Sequence, residues 1–393
     1  MDPIDPTDPT DPTDSMDPMG RPSLKSSYTR LVENGEITLT RETGVEVTLP
    51  DPEGQVLALL DLLDGRRTID GVSRAMIGRW PELTPGDVRE GIAALDAAGL
   101  LEDAAAPTTL TSWQRERYSS NLAFFGTYAD LTRSRDSFQA ALRRSHVVLL
   151  GVGGLGSTLL LNLAGLGVGQ VTLLDYDRVE LKNLARQFLY SEAEVGQPKL
   201  GRAMARARAF NSEVRLNPVA RRVTGPDDVA PLLPGADLVL SAIDQPPEVQ
   251  EWVNDACVAA GVPFITGGMQ VGRGMYYSVL PGRSSCLACW RSADVPTAAP
   301  TGRPERVNRG LGPVASLMGA LIALEAVRYL TGFAPPVSAG KLWLVDFASG
   351  RSDVGYAWPR LPDCPVCGPD APAGGRGTRA ASAAAPSLAA GAR

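Results

Sequence analysis

The run LLGVGGLGSTLLLNLAGLGVGQVTLLDYDRVELKNLARQ, from Leu149 to Gln187, limits what this chain can fold into more than any other stretch. An apolar segment, His146–Leu150, leads into Gly151-x-Gly153-Gly154-x-Gly156. Helical spacing follows from about Leu155, and a second apolar segment, Val171–Asp175, ends on a carboxylate. Strand, glycine turn, helix and strand in that order form the first unit of a nucleotide-binding α/β fold. The glycines let the backbone turn sharply and approach a phosphate. The start of the helix offers N–H donors and the positive end of its dipole. Asp175 is placed to accept hydrogen bonds from ribose hydroxyls. Between Arg144 and Asp175 there is no Lys, Arg, Asp or Glu, so hydropathy alone would read a membrane span. Seven glycines interrupt it, and it divides into separate elements, so no membrane segment is expected.

Strands and helices keep alternating beyond this unit. The pattern places a helix from Lys199, a strand at Glu213–Pro218, a strand at Leu238–Ile243, a helix over Glu248–Ala259 and a strand at Pro263–Thr266. The fold class expected for 145–367 is α/β, a doubly wound Rossmann-like sheet, mostly parallel. Met275–Leu280 and Lys341–Phe347 would extend it. The helical run Gly312–Leu330 is apolar on more than one face, which suits a core or a dimer interface.

Upstream, residues 1–27 read as a disordered acidic leader built on a DPT/DPI repeat that reaches about Arg21. Residues 28–103 suit a small winged-helix-like α+β domain. EITLTRE and VEVTLP alternate as half-buried strands do, and helices follow at Gln55–Leu63, after a Thr68 cap, and from Thr84 to Ala98. Residues 104–144 form a connector with one helix over Trp113–Leu142, and 368–393 a disordered Ala/Gly/Pro/Ser tail. From Glu33 to Asp103 there are 15 acidic and 6 basic side chains, a net charge of −9. That sign, like the −6 of the whole chain, excludes a nucleic-acid surface and favours a peptide or protein partner. An exposed strand edge could accept an added peptide strand. No basic region followed by an apolar run opens the chain, so a cytoplasmic, reducing location is expected. The five cysteines are then metal ligands or free thiols rather than disulfides.

NAD and ATP separate on what surrounds the glycine loop. A dehydrogenase needs a hydride site and usually an acid or base. The only histidine, His146, sits in the first strand as a core residue. Adenylation needs cations for the β- and γ-phosphates and an acidic group for Mg²⁺. The chain supplies Asn183 and Arg186, then Lys199 after Gly196-Gln197-Pro198, and Asp244 at the end of a strand.

In Gly151–Gly156, DYDRVELKNLARQ, GQPK and SAID the chain resembles the adenylation domain of the E1-like family, which includes ubiquitin-activating enzymes and the bacterial ThiF and MoeB proteins. The resemblance spans roughly Arg117 to Cys367. It implies ATP bound by Gly151, Gly153, Gly154 and Gly156, ribose on Asp175, and phosphates on Asn183, Arg186 and Lys199. It also implies Mg²⁺ on Asp244, with Asp177 and Gln187 completing the nucleotide set. Arg186, Lys199 and Asp244 would act in catalysis. It further implies a homodimer.

Cys286-x-x-Cys289 and Cys364-x-x-Cys367 each place two thiolates through a tight turn, and four thiolates suit tetrahedral Zn²⁺ with no position left for water. The site is expected to be structural. Cys257 lies in a helical run as a buried, inert thiol. Relatives of the ThiF and MoeB type often carry a cysteine near a GVxGP-like stretch. Here PERVNRGLGPVASLMG, Pro304 to Gly319, has none, which speaks against sulfur transfer. In RYSSNLAFF, Ser120 stands where the family often has an arginine that reaches its partner subunit's ATP, and Gln245 stands where it tends to have Asn. Residues 28–103 resemble the PqqD-like leader-recognition domain of ribosomal peptide-modifying enzymes. The combination implies adenylation of a precursor-peptide carboxylate, with a small carrier protein as the other substrate class. A leader-binding scaffold serving a partner heterocyclising enzyme, or a sulfur-carrier adenylyltransferase, are the alternatives.

Overall fold

A computed structural model describes residues 20–42, 44–270, 272–292 and 310–369. The chain divides into two compact units, 1–137 and 138–393.

The first unit opens with β1 (Pro22–Leu24), then a meander of β2 (Thr29–Glu33), β3 (Glu36–Glu42) and β4 (Val45–Pro50). β2 and β3 join through Asn34-Gly35, with φ of 53° and 78°. Asn-Gly favours this tight hairpin turn because both central residues need positive φ. Three helices follow: α1 (Gln55–Leu62), α2 (Ile69–Arg79) and α3 (Pro85–Ala97). Thr68 caps α2 by accepting the Gly71 N–H, and Thr84 with Asp87 forms a reciprocal capping box on α3. β5 (Leu101–Asp103) then pairs antiparallel with β1. Ile37 and Leu39 from β3 meet Leu60, Val72, Ile92 and Leu101 in one core.

Two sequence expectations change here. Within the leader expected to be disordered over residues 1–27, Pro22–Leu24 is a strand. Lys25 is buried, its ammonium donating to the carbonyls of Gly99 (2.7 Å) and Thr127 (3.2 Å). A partner strand 77 or more residues away leaves no local signal. β2 was also missed, because all five of its residues are exposed and no alternation marks it. The repeat over 1–19 and the tail over 370–393 lie outside the described residues.

The single connector helix is three: α4 (Ser112–Arg117), α5 (Ser119–Gly126) and α6 (Arg135–Arg144). Asp130 accepts the N–H groups of Thr132 and Arg133, a local turn that competes with helix. The boundary between units falls at Ser137/Phe138, inside α6, rather than at residue 144.

The second unit is built on β6 (His146–Leu150), β7 (Gln170–Leu174), β8 (Arg215–Val219), β9 (Leu238–Ser241), β10 (Phe264–Gln270), β11 (Arg273–Val279), β12 (Lys341–Asp346) and β13 (Ser352–Ala357). They form one sheet in the order β13-β12-β11-β10-β9-β6-β7-β8. The strands from β10 to β8 in that order run parallel, and β11, β12 and β13 add antiparallel at one edge. The crossover helices are α7 (Gly154–Leu166), α8 (Lys199–Phe210) and α9 (Val249–Ala260); α10 (Leu287–Ser292) and α11 (Gly312–Thr331) follow. Val147 and Leu149 face one core and Val148 and Leu150 the other, so β6 is apolar throughout because both of its faces are covered. α11 is long and apolar enough to cross a membrane by composition. It packs on α7 and β10, and Glu325 within it is completely buried, so it is a core helix here. From β6 the chain winds outward through β7 to β8, then returns to β9 on β6's other side. Open α/β sheets bind ligands at the carboxyl ends of strands at such a reversal.

Candidate nucleotide-binding site

A cavity of about 910 Å³ opens at that reversal. Of the four loop glycines, Gly151, Gly153 and Gly154 line the cavity, and packing demands glycine at Gly151 and Gly156. Gly151 has φ +89°, and a Cβ there would lie 2.8 Å from Ile243 Cγ2 and 2.9 Å from the Ala242 carbonyl oxygen. A Cβ on Gly156 would strike the Gly151 carbonyl oxygen, and Gly156 does not line the cavity. It is therefore the glycine that lets α7 start against its own strand, not a ligand contact. Gly153 and Gly154 line the cavity, and a Cβ on either would meet only ordinary contacts at 3.5 Å or more. Packing does not demand glycine there, and the absence of side chains leaves that part of the cavity floor open.

Asp175, at the end of β7, accepts the Val152 and Asp177 N–H groups, each at 2.8 Å. Burial pushes its carboxyl above the usual carboxylate range, against those two hydrogen bonds and the nearby Lys199 ammonium. The carboxylate thus braces the glycine loop and still lines the cavity. Tyr190 holds the same loop from behind, its hydroxyl donating to the Val152 carbonyl at 2.8 Å.

Lys199 opens α8 and is 4% exposed. Its ammonium lies 2.9 Å from the Asp177 carboxylate, and its backbone N–H donates to the Asp177 carbonyl. Asn183 accepts the Glu180 N–H on its side-chain oxygen, and its own carbonyl takes the N–H groups of Arg186 and Gln187. That leaves the Asn183 side-chain amide nitrogen as a donor at the cavity wall, which suits an anion. Arg186 is half-buried beside it, one guanidinium nitrogen 3.3 Å from the Lys182 carbonyl oxygen. Gln187 is 3% exposed, and its side-chain oxygen is buried with no hydrogen-bond partner. Asp244 lies three residues beyond β9, exposed at the cavity.

The expected set apart from Gly156 therefore converges on one cavity. Tyr176, Glu180 and Lys182 also line it and were passed over, although they sit inside the same run. Val223, Gly267, Gly268, Met269 and Phe347 line it too, brought in by the sheet with no motif to announce them. His146 sits far from this chemistry, at the opposite end of β6, bonded to Thr172 and Gly235. Cys257 is fully buried, and burial raises its thiol well above the ordinary range, as an inert core thiol requires.

The four cysteines of the two CxxC pairs are buried together, every sulfur within 4.8 Å of the others. Three sulfur pairs stand at 3.9 Å (Cys286–Cys289), 3.7 Å (Cys286–Cys364) and 3.4 Å (Cys289–Cys367). Metal–sulfur bonds of about 2.3 Å place tetrahedral sulfurs about 3.8 Å apart, so the donor set and spacing fit Zn²⁺. The Leu361 N–H points to Cys289 Sγ at 3.5 Å, and the Trp358 indole donates to the Cys286 carbonyl at 3.0 Å beneath a stacked Trp290. An ion held there would have all four positions filled by protein thiols, the arrangement of a structural rather than a catalytic zinc.

A family model described as the ThiF family matches residues 118–366. The chain belongs to that family. It is an E1-like adenylyltransferase. It is 37% identical over 233 residues to the sulfur carrier protein ThiS adenylyltransferase of Escherichia coli (strain K12), covering 58% of this chain and 88% of that one. It is 32% identical over 270 residues to protein HesA of Leptolyngbya boryana, covering 67% and 89%. Among solved structures, E. coli MccB superposes with a TM-score of 0.72 at 21% identity, covering 88% of this chain and 96% of MccB. PaaA gives 0.65 at 22%, covering 86% and 100%. At such identities these two establish the fold.

Proposed function

We propose that this ThiF-family enzyme uses ATP to adenylate the carboxylate of a ribosomally made precursor peptide. The carrying observation is the cavity itself: a glycine floor with room for phosphate, beside one buried and one half-buried cation and a carboxylate brace for the sugar. ATP is a substrate. Gly153 and Gly154 let its phosphates approach the start of α7, and Asp175 accepts from the ribose. Asn183, Arg186 and Lys199 hold the phosphate oxygens. A carboxylate oxygen of the peptide attacks the α-phosphorus, the bond to the bridging oxygen breaks, and pyrophosphate leaves with both electrons. Arg186 and Lys199 stabilise the charge that grows on it. Asp244, an exposed carboxylate with no ion pair among the described residues, would hold Mg²⁺, which neutralises phosphate charge when bound.

The small N-terminal unit supports a peptide rather than a nucleic acid. Its three-stranded sheet ends on β2 and β4, neither with a further strand among the described residues, and Leu31 and Val32 of β2 are 55% and 47% exposed. We read it as a PqqD-like leader-binding domain. MccB has been solved with ATP and, described as a microcin C7 biosynthetic enzyme, with N-formylated MccA, which supports the peptide class. The four thiols fit a structural zinc and a reducing, cytoplasmic setting. Leu311, Leu317 and Leu324 stay exposed on and before α11, and exposed Phe188 lies against Gly312 at its start; on these residues we place a homodimer contact.

A sulfur-carrier adenylyltransferase is the second reading, favoured by the 37% identity to the ThiS enzyme. The missing cysteine in Pro304–Gly319 weighs against it. ATP–pyrophosphate exchange tests both. Exchange that needs a candidate precursor peptide and vanishes in Asp244→Ala supports the proposal. Exchange with a Gly-Gly-ended carrier alone moves the assignment to the second reading. No exchange with a peptide that binds residues 28–103 leaves a leader-binding scaffold for a partner modifying enzyme.

A further inference from the structure

Gln250 stands in the first turn of α9, outside the nucleotide cavity. Its side-chain nitrogen donates to the Ile243 carbonyl at 2.5 Å. Its side-chain oxygen is buried with no partner. As a stabilising device this is a poor arrangement: one hydrogen bond is made and one buried acceptor is left unsatisfied. An unbranched apolar side chain of the same length would avoid the orphan. The residue's value lies in what it holds.

Ile243 sits in the segment between β9 and α9. The Ala242 N–H donates to the Leu150 carbonyl at 2.8 Å, which ties the segment's start to β6. Ile243 Cγ2 and the Ala242 carbonyl then press against Gly151, leaving no space for a side chain there. The next residue is Asp244, exposed at the cavity. Val249 N–H bonds back to the Pro246 carbonyl at 3.0 Å, closing the far side of the loop. Asp244 therefore hangs between two fixed points, and the Gln250 amide fixes the carbonyl immediately before it.

We propose that Gln250 is a positioning residue: by holding the Ile243 carbonyl it aims the Asp244 carboxylate at the metal–triphosphate side of the cavity. This rests on the reading of Asp244 as the Mg²⁺ carboxylate. Gln250 does not touch the nucleotide. Its loss leaves the glycine floor, Asp175, Arg186 and Lys199 in place and loosens only the direction of Asp244.

The test is ATP binding by calorimetry to the full chain without peptide, in magnesium-free buffer and across a Mg²⁺ titration. Wild type, Asp244→Ala, Gln250→Met and Gln250→Glu are compared, each checked for an unchanged melting temperature and zinc content. Met keeps the length and removes the donor. Glu keeps the shape and sets a second acceptor against the carbonyl, and it serves if Met does not fold. Both Gln250 variants are expected to bind ATP alone as wild type does and to lose about tenfold of the affinity gained from Mg²⁺, with Glu at least as severe as Met. Asp244→Ala should lose that gain entirely. If Asp244→Ala loses it and both Gln250 variants keep it, Gln250 has no positioning role. If Asp244→Ala itself keeps the wild-type gain, the Mg²⁺ assignment fails and the positioning role fails with it.

Discussion

The nucleotide cavity sets the glycine turn after β6 beside charged side chains from the segments after β7 and β9 and leaves most of them within reach of solvent; the cysteine cluster draws four thiols from two short turns and buries every one. Both stand on the same eight-stranded sheet. The cavity contains groups that packing does not require, such as Gly153, Gly154 and the exposed Asp244. The cluster contains none: each sulfur lies against another, and Trp358 and Leu361 bond directly to its ligand residues. A site that must admit and release substrate can lose one group and keep its fold. A closed site that joins the chain's far end to the sheet cannot.

The largest effect that would bear this out is loss of the metal. The purified protein should carry one Zn²⁺ per chain by mass spectrometry. Stripping it, or Cys286→Ser, should lower the melting temperature by roughly 10 °C or more. A stripped protein that melts with the native one would break the contrast. Next, Asp244→Ala should cut pyrophosphate exchange about 100-fold or more and leave the melting temperature nearly unchanged. A large drop in melting temperature would make Asp244 structural too. The loop glycines sharpen the contrast within a single turn. Gly156→Ala should destabilise the fold by about 1–3 kcal/mol in urea unfolding, because its Cβ meets backbone. Gly153→Ala should unfold as wild type does and weaken ATP binding.

Asp175 gives a pH signature that opposes binding to folding. Its carboxyl is held above the usual range, so the folded chain keeps that proton more tightly than the unfolded chain does. On acidification through the raised value the group's own contribution to stability rises, and it is lost as pH increases again. On the proposed ribose role of Asp175, ATP affinity should move the other way, falling as its carboxyl protonates, before ordinary carboxylates titrate. Asp175→Asn should flatten that fall in a calorimetric pH series. The smallest effect lies far from both sites: Thr68→Ala removes the α2 cap and should cost about 1 kcal/mol by chemical denaturation, with exchange unchanged.

Much of this was legible in the residues. The apolar runs at β6, β7 and β9, the helix starts at Lys199 and Thr84, and the two CxxC pairs follow rules that act over a few residues: side-chain period, end capping and ligand spacing. That Asp175, Asn183 and Arg186 share one cavity was readable because the single run DYDRVELKNLARQ holds them, and Lys199 joins them from the separate GQPK motif. Short-range rules also mark where reading stops. β1 needs β5 to exist, β2 faces solvent along its whole length, and the turn at Asp130 splits a helix by hydrogen bonds that composition does not show.

The sequence by itself determined the strand–glycine–helix–strand order, the mostly parallel character of the sheet and the two CxxC pairs, because each is written in patterns that act over a few residues. Only the tertiary structure decided that Gly156 packs while Gly153 opens the cavity. It alone brought Val223, Gly267 and Phe347 to the wall, buried the Glu325 carboxylate in a largely apolar helix, and tied the Ile243 carbonyl, just before Asp244, to the Gln250 amide. Those outcomes turn on which atoms meet across strands and helices distant in the chain, and van der Waals contact and hydrogen bonding act only between atoms the fold has already brought together.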